Sequence, residues 1–318
     1  MRARAFCAAC ACQLQSQQCL NRFQYPMTKV RSTEKSSDGS LSTHNGFSLI
    51  SNEKLLEIYS TMLKCRMLEE RIHALSKRGK SAAKSTNTSV HVAAIAGAAI
   101  DLVAGDTLAP SQGALAPCFA KGMPLETVFA IALARGSAPR PKYSAMNVIP
   151  PSFSSSKQLE RALAAAAVCK AKRNKKVAIV FLNDASGAYS ELDSAMALAG
   201  KKKLPVLFVC ETKLQDDERL KRAKQYNVPA VAVEDDDAVA VYRVATEALA
   251  HARRGSGPTL IECRPWPFGE RGQSKRPPAM HPIGKMESYL ASKGLFKKQF
   301  KTNLVSEFKK ELNAALGA

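Results

Sequence analysis

Two unbroken apolar stretches of strand length, residues 177–182 and 204–210, dominate the hydrophobic pattern in the middle of the chain. Between them, residues 190–200 are rich in alanine and leucine at helical spacing. Apolar stretches without polar alternation are typical of strands buried in a parallel sheet, and a helix joining two of them completes a βαβ unit. The pattern therefore predicts an α/β protein with a mostly parallel sheet and helices on both faces.

Similar patterns predict further elements on both sides of this unit. Apolar positions at helical spacing predict a helix that begins near Ser51, with Ser51 or Asn52 as its N-cap. Four more predicted segments are an alanine-rich helix, a strand with its turn, an amphipathic helix, and a turn leading into a strand, at residues 159–172, 228–237, 238–254 and 255–262.

The loop that leaves the first predicted strand reads Asn183-Asp184-Ala185-Ser186-Gly187. In an open parallel sheet, ligands bind at the carboxyl ends of the strands, often just ahead of a helix. The loop occupies such a place. Asp184 is therefore the first candidate ligand for a metal ion or a cofactor.

The first fifty residues differ in composition from the rest of the chain. Residues 1–26 contain four cysteines and no acidic residue. We interpret residues 1–50 as a disordered leader and residues 51–318 as one large domain. Three explanations of the leader stay open: translation that starts at Met27, an organellar transit peptide, or a metal-binding cysteine tail, and we favour the first. We expect a cytoplasmic protein, or one in an organelle matrix if the leader is a transit peptide.

The formal net charge of +20 is compatible with nucleic acid, an anionic surface or an acidic protein partner. The aromatic content of 6% and the lack of a helix-turn-helix or zinc pattern argue against nucleic-acid binding. The scattered lysines predict mainly solvated helix ends and loops. No apolar stretch reaches membrane-spanning length, and the five cysteines after residue 50 are expected to be free thiols in a reducing compartment.

Several short motifs follow one another in a particular order. Gly105-Asp106 precedes a predicted strand, Leu204-Pro205 precedes another, and the last predicted turn and strand read Gly-Ser-Gly-Pro-Thr-Leu-Ile-Glu. In this order and spacing, most of the chain resembles the alpha subunit of the thiamine-diphosphate-dependent first component of 2-oxo-acid dehydrogenase complexes, the pyruvate, branched-chain and acetoin group. The resemblance implies a thiamine-diphosphate-binding fold and a cofactor site between subunits.

The residues that would hold the cofactor differ from the family pattern. The family has Gly-Asp-Gly where this chain has Asn183-Asp184-Ala185, so the resemblance assigns the metal-binding aspartate to Asp184. The family's Glu-Asn-Asn corresponds to a Glu-Thr-Lys sequence that ends at Lys213, at the position of a metal-binding asparagine. An ammonium group has no acceptor and cannot ligate a cation. Asn183, Asp184, Ala185 and Lys213 are thus the candidate cofactor-binding residues, and we predict that Lys213 pairs with Asp184 in place of the metal.

Further positions depart from the family pattern. The family's Tyr-Arg pair, which contacts the cofactor diphosphate, corresponds to Gln112-Gly113, so the phosphate-binding arginine is absent. The family's Gly-His-Glu-Ala helix corresponds to His91 and the small residues after it, and we interpret His91 as a core or interface histidine. The small residues 92–100 favour close helix contact across a subunit interface. The family's late active-site histidines have no counterpart, because His281 opens a late helix instead.

Three functions stay open from the sequence. The first is a divergent alpha-type subunit that decarboxylates a 2-oxo acid oxidatively with thiamine diphosphate and Mg²⁺. It would work with a beta-type subunit, in a heterotetramer or homodimer, and would deliver its product to a dihydrolipoyl acyltransferase. The second is a catalytically inactive paralogue that acts as a structural or regulatory subunit without a cofactor. The third is a basic nucleic-acid-binding protein.

Overall fold

The computed structural model describes residues 50–77, 91–133, 143–151, 154–183, 189–212, 216–264 and 281–317. Leu55–Ala318 forms one compact unit, and only residues 50–54 are described in the unit before it, Met1–Lys54. The predicted leader therefore lies almost entirely outside the described residues. The division into a leader and a single domain stays a prediction.

Five parallel strands form the central sheet, in the order β1-β2-β3-β5-β4. Their bounds are Thr107–Ala109 (β1), Ala178–Asn183 (β2), Val206–Glu211 (β3), Ala230–Glu234 (β4) and Thr259–Arg264 (β5). The two apolar stretches of the sequence are β2 and β3, which pair in parallel along their full length. The prediction of a buried parallel βαβ unit is confirmed.

Ten α-helices surround the sheet among the described residues. They are Asn52–Lys77 (α1), Val92–Ala99 (α2), Ala116–Ala120 (α3), Leu125–Leu133 (α4), Ser155–Lys172 (α5), Tyr189–Lys201 (α6), Glu218–Gln225 (α7), Ala238–Arg253 (α8), Pro282–Ser292 (α9) and Lys298–Ala315 (α10). At the start of α1 the Ser51 hydroxyl accepts a hydrogen bond from the Lys54 N–H at 3.2 Å, which confirms the predicted N-cap.

Apolar side chains on both faces of the sheet are buried, because the strand residues alternate between the two faces. One face of β2 and β3 packs in a single core with the apolar sides of α5 and α6. On the other side, α2 and α8 contact each other and the sheet. The predicted α/β architecture, with helices on both faces of a parallel sheet, is confirmed.

The small residues of α2 serve packing within the chain. All eight are buried, and a Cβ added to Gly97 would come within 2.9 Å of the Val241 side chain of α8. The expectation that residues 92–100 contact a helix of another subunit is wrong, because α8 of the same chain covers them. Small residues allow two helices to approach closely, whether the second helix belongs to the same chain or to another subunit. The sequence could not distinguish these two arrangements.

A second glycine fixes the position of α6. A Cβ added to Gly200 would lie 2.0 Å from the carbonyl oxygen of Tyr226, the residue that ends α7. No ordinary contact is that short, so only glycine fits here. The end of α6 therefore lies directly against the chain that enters β4.

A buried carboxylate connects three elements at the amino-terminal edge of the sheet. Asp106, fully buried in the turn before β1, accepts hydrogen bonds from the N–H groups of Val103 (2.9 Å) and Val177 (3.1 Å). Its two oxygens also accept from the guanidinium of Arg253 in α8, at 2.9 and 2.6 Å. Arg–carboxylate pairs of this bidentate kind are the strongest ordinary ion pairs in proteins.

The outer edge of β1 is covered by a neighbouring segment. A short 3-10 helix, Tyr143–Met146, leads into residues that pair with Leu108 through a parallel bridge at Val148. The Leu108 N–H donates to the Asn147 carbonyl at 2.9 Å, and the Leu108 carbonyl accepts from the Ile149 N–H at 2.8 Å. This segment thus makes an ordered contact with the edge of the sheet.

The five later cysteines are free thiols, as the sequence predicts. The five cysteines from Cys65 onward are free and buried. Burial raises the pKa of Cys118 to about 12, and burial raises the pKa of Cys263 well above its usual value, so these thiols stay protonated. Among the described residues, none of the helices combines the length and apolarity that crossing a bilayer requires.

Candidate functional site

The carboxyl ends of β2 and β3 lie side by side, as the sequence predicts. Asn183 ends β2 opposite Glu211, which ends β3, and Glu211 is also opposite Cys263 of β5. The Thr212 N–H continues the pairing by donating to the Cys263 carbonyl at 3.0 Å. The carboxyl ends of β2, β3 and β5 therefore lie next to one another.

Of the four candidate cofactor-binding residues, the structure describes Asn183, which is half-buried at the end of β2. Asp184, Ala185 and Lys213 lie outside the described residues. The predicted pairing of Lys213 with Asp184 stays a prediction, as does the assignment of Asp184 as a metal ligand.

Three buried carboxyl groups lie at this end of the sheet. Glu211 is 4% exposed at the end of β3, Asp235 is 1% exposed just after β4, and Glu69 is 4% exposed on α1. The Asp235 N–H donates to the Arg264 carbonyl at 2.7 Å, and Glu69 accepts from the Ala116 N–H at 3.0 Å. Three segments far apart in sequence thus bring their carboxyl groups into one buried region, which we call the carboxyl cluster.

His91 lies between two members of the carboxyl cluster. Its Nε2 is 3.9 Å from an oxygen of Glu211, and its Nδ1 is 3.7 Å from an oxygen of Asp235. The His91 side chain is 26% exposed, so it forms the boundary between the buried carboxyl groups and the surface. The two carboxyl groups closest to the His91 ring are therefore those of Glu211 and Asp235.

The environment of Glu211 favours its neutral form. Burial away from water raises the pKa of Glu211 to about 8, with further contributions from the nearby negative charges of Asp235 and Glu69. Ionising two neighbouring carboxyl groups in a buried region costs free energy, because their negative charges repel each other. At neutral pH, Glu211 therefore holds a proton and can donate it, which suits general acid–base chemistry.

We expect the pH dependence of stability to report this buried proton. Folded Glu211 keeps its proton up to about pH 8, whereas the unfolded carboxyl releases it near the usual 4.5. Raising the pH through this window therefore favours unfolding, and the contribution present below pH 4.5 is lost by about pH 8. The variant Glu211→Gln cannot ionise, so between pH 5 and 8 it should lose at least about 1 kcal/mol less stability than the parent, or about 2–4 °C in Tm.

The matched control is Glu126→Gln, the same substitution at an exposed position of α4. Its melting temperature should follow that of the parent at every pH. If Glu211→Gln and the parent had parallel profiles across the window, Glu211 would not hold a proton in the folded protein.

The positions that correspond to the family's phosphate-binding pair follow β1. Gln112 is exposed, and Gly113 takes a left-handed backbone conformation (φ 77°), with its N–H donating to the Pro151 carbonyl at 2.9 Å. Neither residue carries a charge. The local structure at these two residues is a tight turn.

Cations elsewhere at this end of the sheet are engaged in ion pairs. Arg264, which ends β5, lies 3.0 Å from Asp217 and 3.5 Å from the buried Glu262, which also pairs with Arg219 at 3.2 Å. On α9, Lys285 contacts Glu234 and Asp236 at 2.9 and 2.8 Å. These pairs fasten α7 to β5, and α9 to the turn after β4. No group of three or more His, Cys, Asp or Glu side chains among the described residues is arranged to hold a metal ion.

His281 lies at the start of a helix. It is the N-cap residue of α9, and the Arg66 guanidinium lies 3.1 Å from its ring nitrogens. Arg66 also pairs with Glu70 at 2.8 Å on the exposed side of α1, as the spacing of four residues predicts. The expectation that His281 opens a late helix is confirmed.

Sequence reasoning missed two members of the carboxyl cluster. Glu69 stands in a run of charged residues that is typical of a solvated helix face, yet it points into the protein. Asp235 is one of three consecutive aspartates after β4, and nothing in that run distinguishes the buried one.

Comparison with known proteins places the chain in one family. The sequence profile of the family described as "Dehydrogenase E1 component" matches residues 59–317. The alpha subunit of acetoin:2,6-dichlorophenolindophenol oxidoreductase from Bacillus subtilis (strain 168) is 28% identical over 239 residues, covering 67% of this chain and 70% of the relative. The pyruvate dehydrogenase E1 component subunit alpha of Staphylococcus epidermidis (strain RP62A) is 23% identical over 292 residues, or 84% of this chain and 78% of the relative.

One solved structure, of a proposed thiamin diphosphate-dependent enzyme from Mycobacterium smegmatis, aligns over 59% of this chain with 14% identity and a TM-score of 0.38. The chain spans a third of the length of that protein, at 33%. A likeness this slight does not bear on function.

Proposed function

Because the chain belongs to the family of dehydrogenase E1 components, we propose that it acts as a divergent alpha-type subunit in the oxidative decarboxylation of a 2-oxo acid. The observation that carries this proposal is the match to the family over residues 59–317, which includes every strand of the sheet. A thiamine-diphosphate-binding fold follows from membership of the family. The relatives named above are alpha subunits, so a beta-type subunit is the partner we propose, in a heterotetramer or homodimer.

The described residues of this chain do not fit the diphosphate of that cofactor. The pair Gln112-Gly113 offers no cation, and the nearby strand ends carry the buried carboxyl cluster, which disfavours a second anionic group. In the assembly we propose, anchoring of the diphosphate and Mg²⁺ therefore depends on groups outside these described residues, and the beta-type subunit supplies the cofactor-activating glutamate.

The described residues of this chain could contribute proton transfer to the reaction. Glu211 holds a proton near neutral pH, and His91 lies 3.9 Å away on the solvent side of the carboxyl cluster. Either ring nitrogen of an imidazole can carry or release a proton, and both nitrogens of His91 face cluster carboxyl groups, Nε2 towards Glu211 and Nδ1 towards Asp235. We propose that this pair exchanges protons between the buried carboxyl cluster and the solvent side of the site.

A second candidate is a catalytically inactive paralogue that stabilises or regulates an E1 assembly. The observation that favours it is the uncharged turn at Gln112-Gly113, where the family has an arginine. In this case the chain binds a beta-type subunit through the family's interface and binds no cofactor. A dihydrolipoyl acyltransferase is a further partner only in the active case.

Calorimetry of thiamine diphosphate with Mg²⁺ separates the two candidates. The titration is carried out on the full chain alone and after co-expression with a beta-type subunit. Saturable binding that requires the beta-type subunit supports the active subunit, whereas co-purification without binding supports the inactive paralogue. Failure of the chain to associate with any beta-type subunit would contradict both.

A charge-changing pair of variants sharpens this test. Gln112→Arg restores a cation beside the place where the family binds phosphate, and we expect it to tighten cofactor binding about tenfold, as one new charged hydrogen bond would. Gln112→Glu, of equal size and opposite charge, should weaken binding. Equal affinities of the two variants would show that the diphosphate does not approach Gln112.

A further inference from the structure

The amino-terminal edge of the sheet, opposite the candidate site, is strongly basic. Helices α5, α6 and α8 all end there, because each runs antiparallel to the strands. The exposed cations at this place, together with the half-buried Lys176, are called the basic edge: Lys170, Lys172, Arg173, Lys175, Lys201, Lys202, Lys203 and Arg254. From these residues we propose that the basic edge is a docking surface for an acidic, partly apolar segment of a partner protein.

Contacts between neighbouring segments show that the basic edge is continuous. The Lys170 ammonium donates to the Lys202 carbonyl at 2.5 Å, which joins the ends of α5 and α6. The Arg253 guanidinium donates to the Lys175 carbonyl at 3.2 Å, which joins the end of α8 to the segment before β2. The Lys176 side chain lies over Gly105, where an added Cβ would be 2.7 Å from it. Four segments thus contribute to one surface.

The charge of this surface is poorly balanced. Residues 100–106, 170–177, 201–205 and 253–258 contain ten cations, against two acidic residues, Asp101 and Asp106. Asp106 is fully buried and neutralises only Arg253, so it does not compensate the exposed lysines. Helix carboxyl ends tolerate nearby cations, which explains how the charges can be held together. A surface of one sign attracts a partner of the opposite sign.

Three of these cations have an unfavourable backbone conformation. Arg173, Lys175 and Lys203 have φ values of 50°, 57° and 44°, in the left-handed region that favours glycine. Among the described residues, the other non-glycine residues with positive φ are both asparagine, which tolerates this region. Long cationic side chains at all three positions cost stability that glycine would not. Such strain in a charged surface points to a role for the charges themselves.

Apolar side chains distinguish the partner from nucleic acid. The three exposed large hydrophobic residues of the described chain are Val103, Val168 and Leu198, with exposed fractions of 43%, 51% and 41%. Val168 is one helical turn from Lys172 on α5, and the Leu198 carbonyl accepts from the Lys202 N–H at the end of α6. No described residue of the basic edge is aromatic, so a platform for stacking bases is not present there. Alternating apolar and cationic groups complement a segment of acidic and aliphatic residues.

The test measures binding of three labelled probes to the full chain by fluorescence anisotropy. The probes are a short synthetic peptide of glutamate and leucine, a glutamate–serine peptide of the same length and charge, and a short DNA duplex. We expect the glutamate–leucine peptide to bind most tightly and its affinity to fall as salt is raised. Tighter binding of the duplex would overturn the proposal and assign the surface to nucleic acid.

The variant Arg173→Gly/Lys175→Gly/Lys203→Gly removes three charges where glycine fits the backbone. Its Tm should equal or exceed that of the parent, so a loss of binding cannot be due to unfolding. We expect the affinity for the glutamate–leucine peptide to fall about tenfold. The matched control, Lys298→Gln/Lys309→Gln/Lys310→Gln, removes the same charge from exposed positions of α10 and should bind as the parent does.

A second variant, Val168→Ser/Leu198→Ser, tests the apolar part. We expect this variant to have a lower affinity for the glutamate–leucine peptide than the parent, and the same affinity as the parent for the glutamate–serine peptide. Equal binding by the glycine variant and the α10 control would overturn the proposal, since the interaction would then follow total charge. Cofactor binding does not enter this experiment, so its outcome is independent of the proposed function.

Discussion

Replacing Asp106 by alanine should destabilise the protein by about 4 kcal/mol, which corresponds to a loss of about 10 °C in Tm. The carboxylate is fully buried and satisfies two backbone N–H groups as well as both arms of the Arg253 guanidinium. Its removal leaves the N–H groups of Val103 and Val177 without this acceptor, and a buried donor without a partner costs about 1–3 kcal/mol. The measurement is denaturant unfolding of the full chain.

The control for this prediction is Glu70→Ala, which also removes the carboxylate partner of an arginine. Glu70 pairs with Arg66 on an exposed helix face at 2.8 Å, and such pairs contribute about 0.2–1 kcal/mol. A double-mutant cycle of Asp106→Ala with Arg253→Ala should show strong non-additivity, because the two residues share one interaction. Additive losses would mean that Asp106 acts through the backbone N–H groups alone.

Gly200→Ala should be the most damaging single-methyl substitution in the sheet region, with a loss of about 3 kcal/mol. The added Cβ would lie 2.0 Å from the Tyr226 carbonyl oxygen, so either α6 or the segment entering β4 must move. Movement of α6 would also disturb Met196 and Ala199, which are fully buried in the core. Thermal and denaturant unfolding measure the loss.

A comparison with Gly97→Ala identifies the cause. At Gly97 the added Cβ meets the side chain of Val241 at 2.9 Å, so the second substitution Val241→Ala should recover part of the lost stability. At Gly200 the obstacle is a backbone carbonyl, and no side-chain substitution can remove it. If Gly200→Ala were as stable as the parent, the close approach of α6 to Tyr226 would be incorrect.

The strands and helices were predictable from the sequence because their signals are local. An apolar run such as residues 177–182 needs burial on both faces of a sheet wherever it lies, and β2 appears within one residue of it. The N-cap at Ser51 and the helix stop before β5 depend on a few neighbouring residues and were also predicted. The close packing of α2 was predicted, but its partner was not.

The interactions that define the site and the stability were harder to predict because they join distant segments. Asp106 and Arg253 are separated by 147 positions, and neither residue signals the other in the sequence. Glu69 and Asp235 look like surface charges in the sequence. Their burial near Glu211 depends on contacts between distant segments, such as the hydrogen bond that Glu69 accepts from the Ala116 N–H. The raised pKa of Glu211 arises from burial and from the nearby charges of Asp235 and Glu69. These residues are far apart in sequence, so no single stretch of the chain predicts the raised pKa.

The covered edge of β1 has a consequence for how this chain meets other chains. Its outward-facing hydrogen-bonding groups, the N–H and carbonyl of Leu108, are already used by Asn147 and Ile149. A strand from a neighbouring molecule would have to displace that segment before it could add to the sheet at this side. While that segment stays in place, no second strand can pair with β1, either in a functional assembly or in aggregation from the native state. Association at this edge must then use side chains.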